Sequence, residues 1–120
     1  MPTAADADSW VTRYVTAWNT NDPQDIGALF TETATYSPAP YQPSWQGRTE
    51  IVERWLAIRD EPGETEFEWT VVSICDDLAV VTGTTRYPRA SFSNLWLVRL
   101  TDEGECHEFG EWWMEHPSGG

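Results

Sequence analysis

"ETEFEWTVVSIC", residues 64–75, is where the hydrophobic period of this chain changes. Phe67, Trp69 and Val71 alternate with Glu66, Glu68 and Thr70, the two-residue period of a strand with one buried face. Three runs of the same character follow: "LAVVTGTTRYP" (78–88), "SFSNLWLVRLT" (91–101) and "ECHEFGEWWMEH" (105–116). "CDD" (75–77) and "TDEGE" (101–105) supply tight turns, with Gly104 suited to positive φ.

Upstream the period is helical. Trp10, Val11, Tyr14, Val15 and Trp18 form one apolar stripe and predict a helix over 6–20. Asn21–Asp22–Pro23 ends it, and Pro23 suits the first turn of a second, short helix faced by Ile26, Leu29 and Phe30. "TATYS" (33–37) is strand-prone. "GRTEIVERWLAIRD" (47–60) reads as a third helix, with Ile51, Val52, Trp55, Leu56 and Ile58 turned to the core and Glu50→Arg54 as a supporting pair. Helices first and an antiparallel meander after them predict one α+β domain of 120 residues, its core about 9–116, with helices on one sheet face. A strongly curved sheet folded against helices would leave a cone lined by the inner strand face.

The balance of seven basic and twenty acidic residues gives a net charge of −13, and all seven basic residues are Arg. Such a surface repels phosphate, so nucleic acid and anionic membranes are poor partners. No apolar run approaches the roughly 18 residues of a membrane span, and the N-terminus lacks the apolar core of a signal peptide. The expectation is a soluble, cytoplasmic protein. Cys75 and Cys106 read as small hydrophobes. Two isolated His and no clustered Cys speak against a metal site, and no phosphate-binding loop or nucleophile elbow is present, so no cofactor is expected. "DEPGETEFE" (60–68) reads as a solvated turn and edge, and the "EHPSGG" tail, with His116, as exposed or disordered.

Eight Trp in 120 residues are either bulky core filler or the lining of a pocket. "YSPAPYQPSWQG" (36–47) bears on that choice. Tyr36, Tyr41 and Trp45 alternate with three prolines and no charge, as a stiff aromatic rim or lid would.

Four stretches carry a resemblance: "WVTRYVTAWNTNDPQDIGALFTETATYSPAP" (10–40), "QGRTEIVERWL" (46–56), "DDLAVVTGTTRYP" (76–88) and "LWLVRLTDEGECHEFGEWW" (95–113). Together they resemble the SnoaL-like, ketosteroid-isomerase-like branch of the NTF2-like superfamily, over roughly residues 9–116. The resemblance implies an NTF2-like (cystatin-like) cone, a curved, mainly antiparallel sheet wrapped around three N-terminal helices. It also implies a deep apolar pocket for a small, largely apolar molecule, and a homodimer. That scaffold carries isomerases, polyketide cyclases, dehydratases, epoxide hydrolases and non-catalytic binding domains.

Ketosteroid isomerase works with an Asp base and an oxyanion hole of a Tyr and a protonated Asp. Tyr14 matches the Tyr. The base position falls at Pro38, or Ser37 with a one-residue slip, and the protonated Asp at or near Trp96; Trp55 replaces a supporting Tyr. With two of three groups missing, that mechanism is not expected. The polyketide cyclases this chain resembles use a carboxylate on the last strand, where Glu111 stands.

Strand parity groups His107, Phe109, Glu111 and Trp113 on one face, and Val80, Thr82, Thr84 and Arg86 on the cavity face of the preceding strand. His107 and Glu111 lie ~13 Å apart on such a strand and do not touch. Arg86 is either a partner for Glu111, lowering its pKa and anchoring a polar ligand group, or a solvated strand-end residue. Limonene epoxide hydrolase needs two carboxylates flanking an Arg, and here one stands near it. The candidate catalytic pair is Glu111 and Tyr14. Candidate ligand contacts are Trp18, Tyr36, Tyr41, Trp45, Trp55 and Trp96, with Thr82, Thr84, Arg86, His107, Phe109 and Trp113. Three readings stay open: acid–base isomerisation or cyclisation of a polyketide-, steroid- or terpenoid-like substrate, a non-catalytic ligand-binding module, or a dimerisation module using outward residues such as Trp69 and Trp112.

Overall fold

Thr3 starts the first helix with a reciprocal cap: its hydroxyl accepts the Asp6 N–H, and the Asp6 carboxylate accepts the Thr3 N–H at 2.8 Å. The computed structural model describes residues 1–59, 61 and 64–117. Helix α1 (Ala4–Thr20) therefore begins two residues earlier than its apolar stripe suggests. It buries Ala7, Trp10, Val11, Tyr14 and Ala17, and Asn21 closes it in the left-handed conformation at φ 52°. Asp22 caps the five-residue α2 (Pro23–Gly27).

Phe30, expected on α2, instead opens strand β1 (Phe30–Ser37). The reason lies in the carbonyl of Leu29, which accepts the Cys106 N–H at 2.8 Å and the Trp10 indole N–H at 2.9 Å. Those two bonds draw the chain out of the helix. The two-residue β2 (Trp45–Gln46) precedes α3 (Arg48–Ala57). Arg48 fixes the start of α3 by donating twice to the Phe30 carbonyl, through Nε at 3.0 Å and Nη2 at 2.7 Å. Because α3 stops at Ala57, Ile58 lies exposed rather than in the core.

Four long strands complete the chain: β3 (Glu66–Cys75), β4 (Leu78–Arg86), β5 (Ser91–Leu100) and β6 (Cys106–Glu115). Asp76 at φ 54° and Gly104 at φ 83° make the two tight turns. Residues 60, 62 and 63 of the acidic 60–68 stretch, and 118–120 of the tail, lie outside the described residues. His116 is tied down, its N–H donating to the Ser91 carbonyl at 2.8 Å. Among the described residues no helix is long and apolar enough to cross a membrane.

The six strands form one sheet in the order β2-β1-β6-β5-β4-β3. This corrects the expectation of a curved sheet wrapped into a cone. The order is linear, β2 and β3 stand at opposite edges, and the sheet is open rather than curled. It is also mixed: β1 runs parallel to β6, while every other pair is antiparallel. A parallel pair needs a long crossover, here everything from β2 to β5.

Directly opposed residues share a face, so the ladders sort the side chains. Val71, Val81, Trp96 and Glu111 form one row across β3–β6. Ala79, Val98 and Phe109 form the next, and Trp69, Gly83, Asn94 and Trp113 the row on the other side. This face meets the helices. Trp10 of α1 sits at its centre, with ring centroids 5.7 Å from Phe109, 6.0 Å from Phe30 and 6.5 Å from Trp96. Trp69, expected to face outward, belongs to this inner face; its indole N–H donates to Asp8 Oδ1 at 2.9 Å. Cys106 is buried, its thiol pushed up to about 12 by burial, whereas Cys75 is exposed.

Gly83 sets the packing of the inner face. The Phe67 ring lies across it and stacks on Trp96 at 4.8 Å and on Trp69 at 5.9 Å. A Cβ at position 83 would stand 2.6 Å from two Phe67 ring carbons and 2.8 Å from the Glu68 carbonyl oxygen. Gly83→Ala is therefore expected to destabilise the fold by about 1–3 kcal/mol, the usual range for overpacking. Urea unfolding measures this, and an unchanged midpoint would show that Phe67 does not occupy that position.

Candidate functional site

The inner face is not filled evenly. At the end of the sheet near Leu100 and Cys106 it is closed by Trp10, Val98 and Phe109. At the other end small and polar residues replace bulky ones, and a cavity of about 500 Å³ opens. Buried Tyr14, Tyr36, Trp55, Thr85, Asn94 and Trp96 form its floor. Exposed Ile58, Arg59 and Trp113 stand at its rim. Trp18, Trp45, Tyr87 and Phe92 complete the walls, so the lining is dominated by aromatic rings.

Glu111 is the carboxylate of this pocket. Its position follows from β6 alternation, which turns Phe109, Glu111 and Trp113 to one face, and from its pairing with Trp96 on β5. The Trp96 indole N–H donates to Glu111 Oε2 at 3.0 Å, and Asn94 Nδ2 donates to the same oxygen at 2.9 Å. Asn94 Oδ1 in turn accepts the Thr85 hydroxyl at 2.7 Å. Burial pushes the Glu111 pKa above the ordinary glutamate value, and the two N–H donors pull it part of the way back.

The second polar feature is a pair of phenols. The Tyr14 and Tyr36 hydroxyls lie 2.7 Å apart. Burial holds both pKa values well above the ordinary tyrosine value, and the nearby Glu111 charge adds to the shift in each. Both stay protonated. Two hydroxyls bonded to one another use one proton between them, so the other O–H remains to donate elsewhere. Tyr36 here stands beside Tyr14 where the resemblance placed Trp55; the Trp55 ring packs on Tyr14 at 4.8 Å and its N–H donates to Asn21 Oδ1 at 3.3 Å.

The structure brings Tyr14, Trp18, Tyr36, Trp45, Trp55, Trp96, Glu111 and Trp113 around one cavity. Phe109 lies beneath it, stacked on Tyr14 at 5.7 Å, in the core rather than on the pocket surface. Six expected ligand contacts are corrected, Phe109 and five others. Thr82, Thr84 and Arg86 lie on the opposite face of β4, because Ala79, Val81 and Thr85 take the inner positions. The run "VVTGTT" offers one Val followed by small residues on either parity, and the need for Gly83 under Phe67 decides between them. Arg86 pairs with Glu68 on β3 at 3.1 Å, not with Glu111.

His107 is displaced by a bulge. Leu100 opposes Cys106 while Arg99 opposes Glu108, so His107 is the extra residue and Cys106 keeps an inner position. His107 Nε2 lies 2.8 Å from Asp77 Oδ2, within a group that includes Arg99 and Glu108. Tyr41 is fully exposed at φ 67° and lines no part of the pocket. Of the proline-rich rim, Tyr36 and Trp45 reach the site and stack on each other at 4.5 Å and 11°.

Sequence reasoning missed Thr85, Tyr87, Phe92 and Asn94. Asn94 left a signal: it shares parity with Trp96, Val98 and Leu100, and a polar residue on an apolar strand face marks a buried hydrogen-bonding site. Among the described residues no three His, Cys, Asp or Glu side chains gather to hold a metal ion.

Among solved structures the fold is widely matched. An NTF2-like protein of unknown function from Mesorhizobium loti superposes with a TM-score of 0.70 at 21% identity, covering 95% of this chain and 97% of that one. The epoxide hydrolase/cyclase-like enzyme SalBIII, of pyran ring formation in the polyether salinomycin, gives 0.68 at 21% identity, with 89% of both chains covered. A ketosteroid isomerase-like protein from Erwinia carotovora atroseptica gives 0.64 at 21% identity, covering 95% and 97%. At that identity the likeness concerns the fold alone. No curated protein matches the sequence significantly. The family model of the SnoaL-like domain matches residues 11–108. Helices, mixed sheet, aromatic pocket and sequence thus agree, and the chain belongs to the SnoaL-like domain family of the NTF2-like fold.

Proposed function

We propose that this protein binds a small, largely apolar molecule carrying a carbonyl or related oxygen and moves a proton on it. Glu111 is the acid–base group, and the Tyr14–Tyr36 pair is the hydrogen-bond donor. One observation carries the reading: a carboxyl with a raised pKa shares an aromatic cavity with a neutral phenol pair that has one O–H to spare. The Glu111 carboxylate takes a proton from carbon next to the carbonyl, the electron pair moves onto oxygen, and the phenol stabilises that enolate. Glu111 then returns the proton to carbon, at the same or a conjugated position. The raised pKa keeps both protonation states accessible nearer neutrality. With a net charge of −13, nucleic acid is not the partner.

A second reading, a non-catalytic binding module, has its own support. Trp96 and Asn94 already satisfy one Glu111 oxygen, as a purely structural carboxylate would require. We also propose a homodimer. The sheet face away from the helices carries Leu95, Leu97, Trp112 and Met114 near one another, with Trp112 and Met114 exposed. That is more apolar surface than a highly charged monomer needs to show.

Three measurements follow. With 1-tetralone in D2O, hydrogen–deuterium exchange at the carbon next to the carbonyl is expected above the buffer rate. It should fall by about 100-fold in Glu111→Gln, in the range of general acid–base catalysis. Proton NMR reads it. Exchange that survives in Glu111→Gln would remove the catalytic role, and unchanged binding with no exchange in either protein would leave the module. The second concerns stability. A glutamate whose folded pKa is raised contributes stability below its unfolded pKa and loses it as pH rises through the folded value. The wild type should therefore lose Tm relative to Glu111→Gln between the ordinary glutamate range and the raised folded value. A Tm difference that stays constant with pH would contradict the desolvated carboxyl. The third is sedimentation: Trp112→Glu is expected to shift a dimer to monomer, and a monomeric wild type at micromolar concentration would sink the dimer.

A further inference from the structure

The floor of the pocket contains two buried polar residues, Asn94 and Thr85, that the acid–base reading does not itself require. Both lie on central strands, and both are committed to one chain of hydrogen bonds that ends on Glu111. We propose that Thr85 and Asn94 are positioning residues: with Trp96 they form a donor-only clamp on Glu111 Oε2 and confine the exchangeable proton to Oε1. The inference rests on the reading of Glu111 as the proton-moving group.

The donors and acceptors around Glu111 fix which oxygen carries the proton. An indole Nε1 donates and cannot accept, and an amide Nδ2 likewise only donates. Both reach Oε2, at 3.0 Å and 2.9 Å. A proton placed on Oε2 would take the lone pair of one N–H donor and weaken the bond from the other. Among the described residues no donor reaches Oε1, and that atom is not sealed within the core. Protonation and release therefore run through Oε1.

Which end of the Asn94 amide faces Glu111 is decided by Thr85. Its hydroxyl has one proton to place, and in this buried position Asn94 Oδ1 takes it at 2.7 Å. That leaves Nδ2 for Glu111. Without the Thr85 hydroxyl, the amide is free to rotate and present Oδ1, which favours the protonated carboxyl. The clamp thus works against desolvation. It keeps Glu111 able to release its proton, rather than trapped as a neutral acid by its aromatic surroundings. Among the described residues the other titratable or charged groups facing the pocket are Tyr14 of α1, Tyr36 of β1, Tyr87 after β4 and Arg59 after α3. Tyr14 and Tyr36 stay neutral through the relevant range, and Arg59 lies at the exposed rim.

The test is a carbon-13 NMR titration of the Glu111 side-chain carboxyl in the intact protein, which needs no substrate. Asn94→Leu is expected to raise the proton affinity of Glu111 roughly tenfold, the effect of losing one hydrogen bond to a charged group. Thr85→Val should raise it in the same direction by less, and Thr85→Ser, which keeps the hydroxyl, should restore the wild-type titration. Glu111 titrating unchanged in Asn94→Leu, or Thr85→Ser behaving like Thr85→Val, would overturn the clamp. Should Asn94→Leu lose the fold, the Thr85 pair carries the test alone. Failure of 1-tetralone exchange would count against the catalytic reading while leaving these titrations to stand or fall independently.

Discussion

A buried indole N–H must find an acceptor, and Trp96 is the residue that imposes this on the molecule. Its ring contacts Trp10 and Tyr14 of α1, Phe67 of β3 and Phe109 of β6, so it joins the helix layer to both halves of the sheet. Its only donor points across the ladder to β6, where Glu111 supplies the oxygen. A carboxylate is thereby drawn under an aromatic cluster it would otherwise avoid. The cost of that burial is what raises the Glu111 pKa. One structural requirement, the satisfaction of a core tryptophan, places a carboxyl with a raised pKa in the pocket.

The pocket itself follows from a gradient along the inner face. Toward Leu100 and Cys106, aliphatic and aromatic side chains interlock around Trp10 and leave no room. Toward Thr85 and Asn94 the rows contain a glycine and short polar residues. Gly83 is needed so that Phe67 can lie flat against Trp96, and the space beyond those rings is not refilled. Aromatic residues of this face act as core at one end of the sheet and as pocket lining at the other, which accounts for seven of the eight tryptophans, Trp112 lying on the opposite face.

Much of the element structure was legible. The helical stripe of Trp10, Val11 and Tyr14 and the alternation in the four later strands located five of the nine elements, because a single buried face imposes a period on the sequence. Glu111 and Tyr14 were singled out by the family resemblance, and periodicity added only which face of the strand or helix each lies on. The face of β4 was not legible, since Val80 and Val81 satisfy either parity. His107 was misplaced because a bulge adds one residue to β6 opposite Leu100, and alternation counted by twos cannot register it. Tyr41 belongs with the rim by composition alone; its left-handed backbone turns it to solvent.

Periodicity and charge, read along the chain, mark an α+β protein with a strongly acidic surface, three helices, a set of long strands and far more aromatic residues than a minimal core requires. Periodicity and composition are local properties, and each residue carries them without reference to a distant partner. Tertiary structure alone decided that the sheet is open and mixed, that Arg86 serves Glu68, and that Thr85, Asn94, Trp96 and Glu111 form one connected chain. Those facts depend on which strands lie side by side and in what register. Register is fixed by packing across the whole inner face, above all by the fit of Phe67 over Gly83 and of Trp96 between the helix and the sheet.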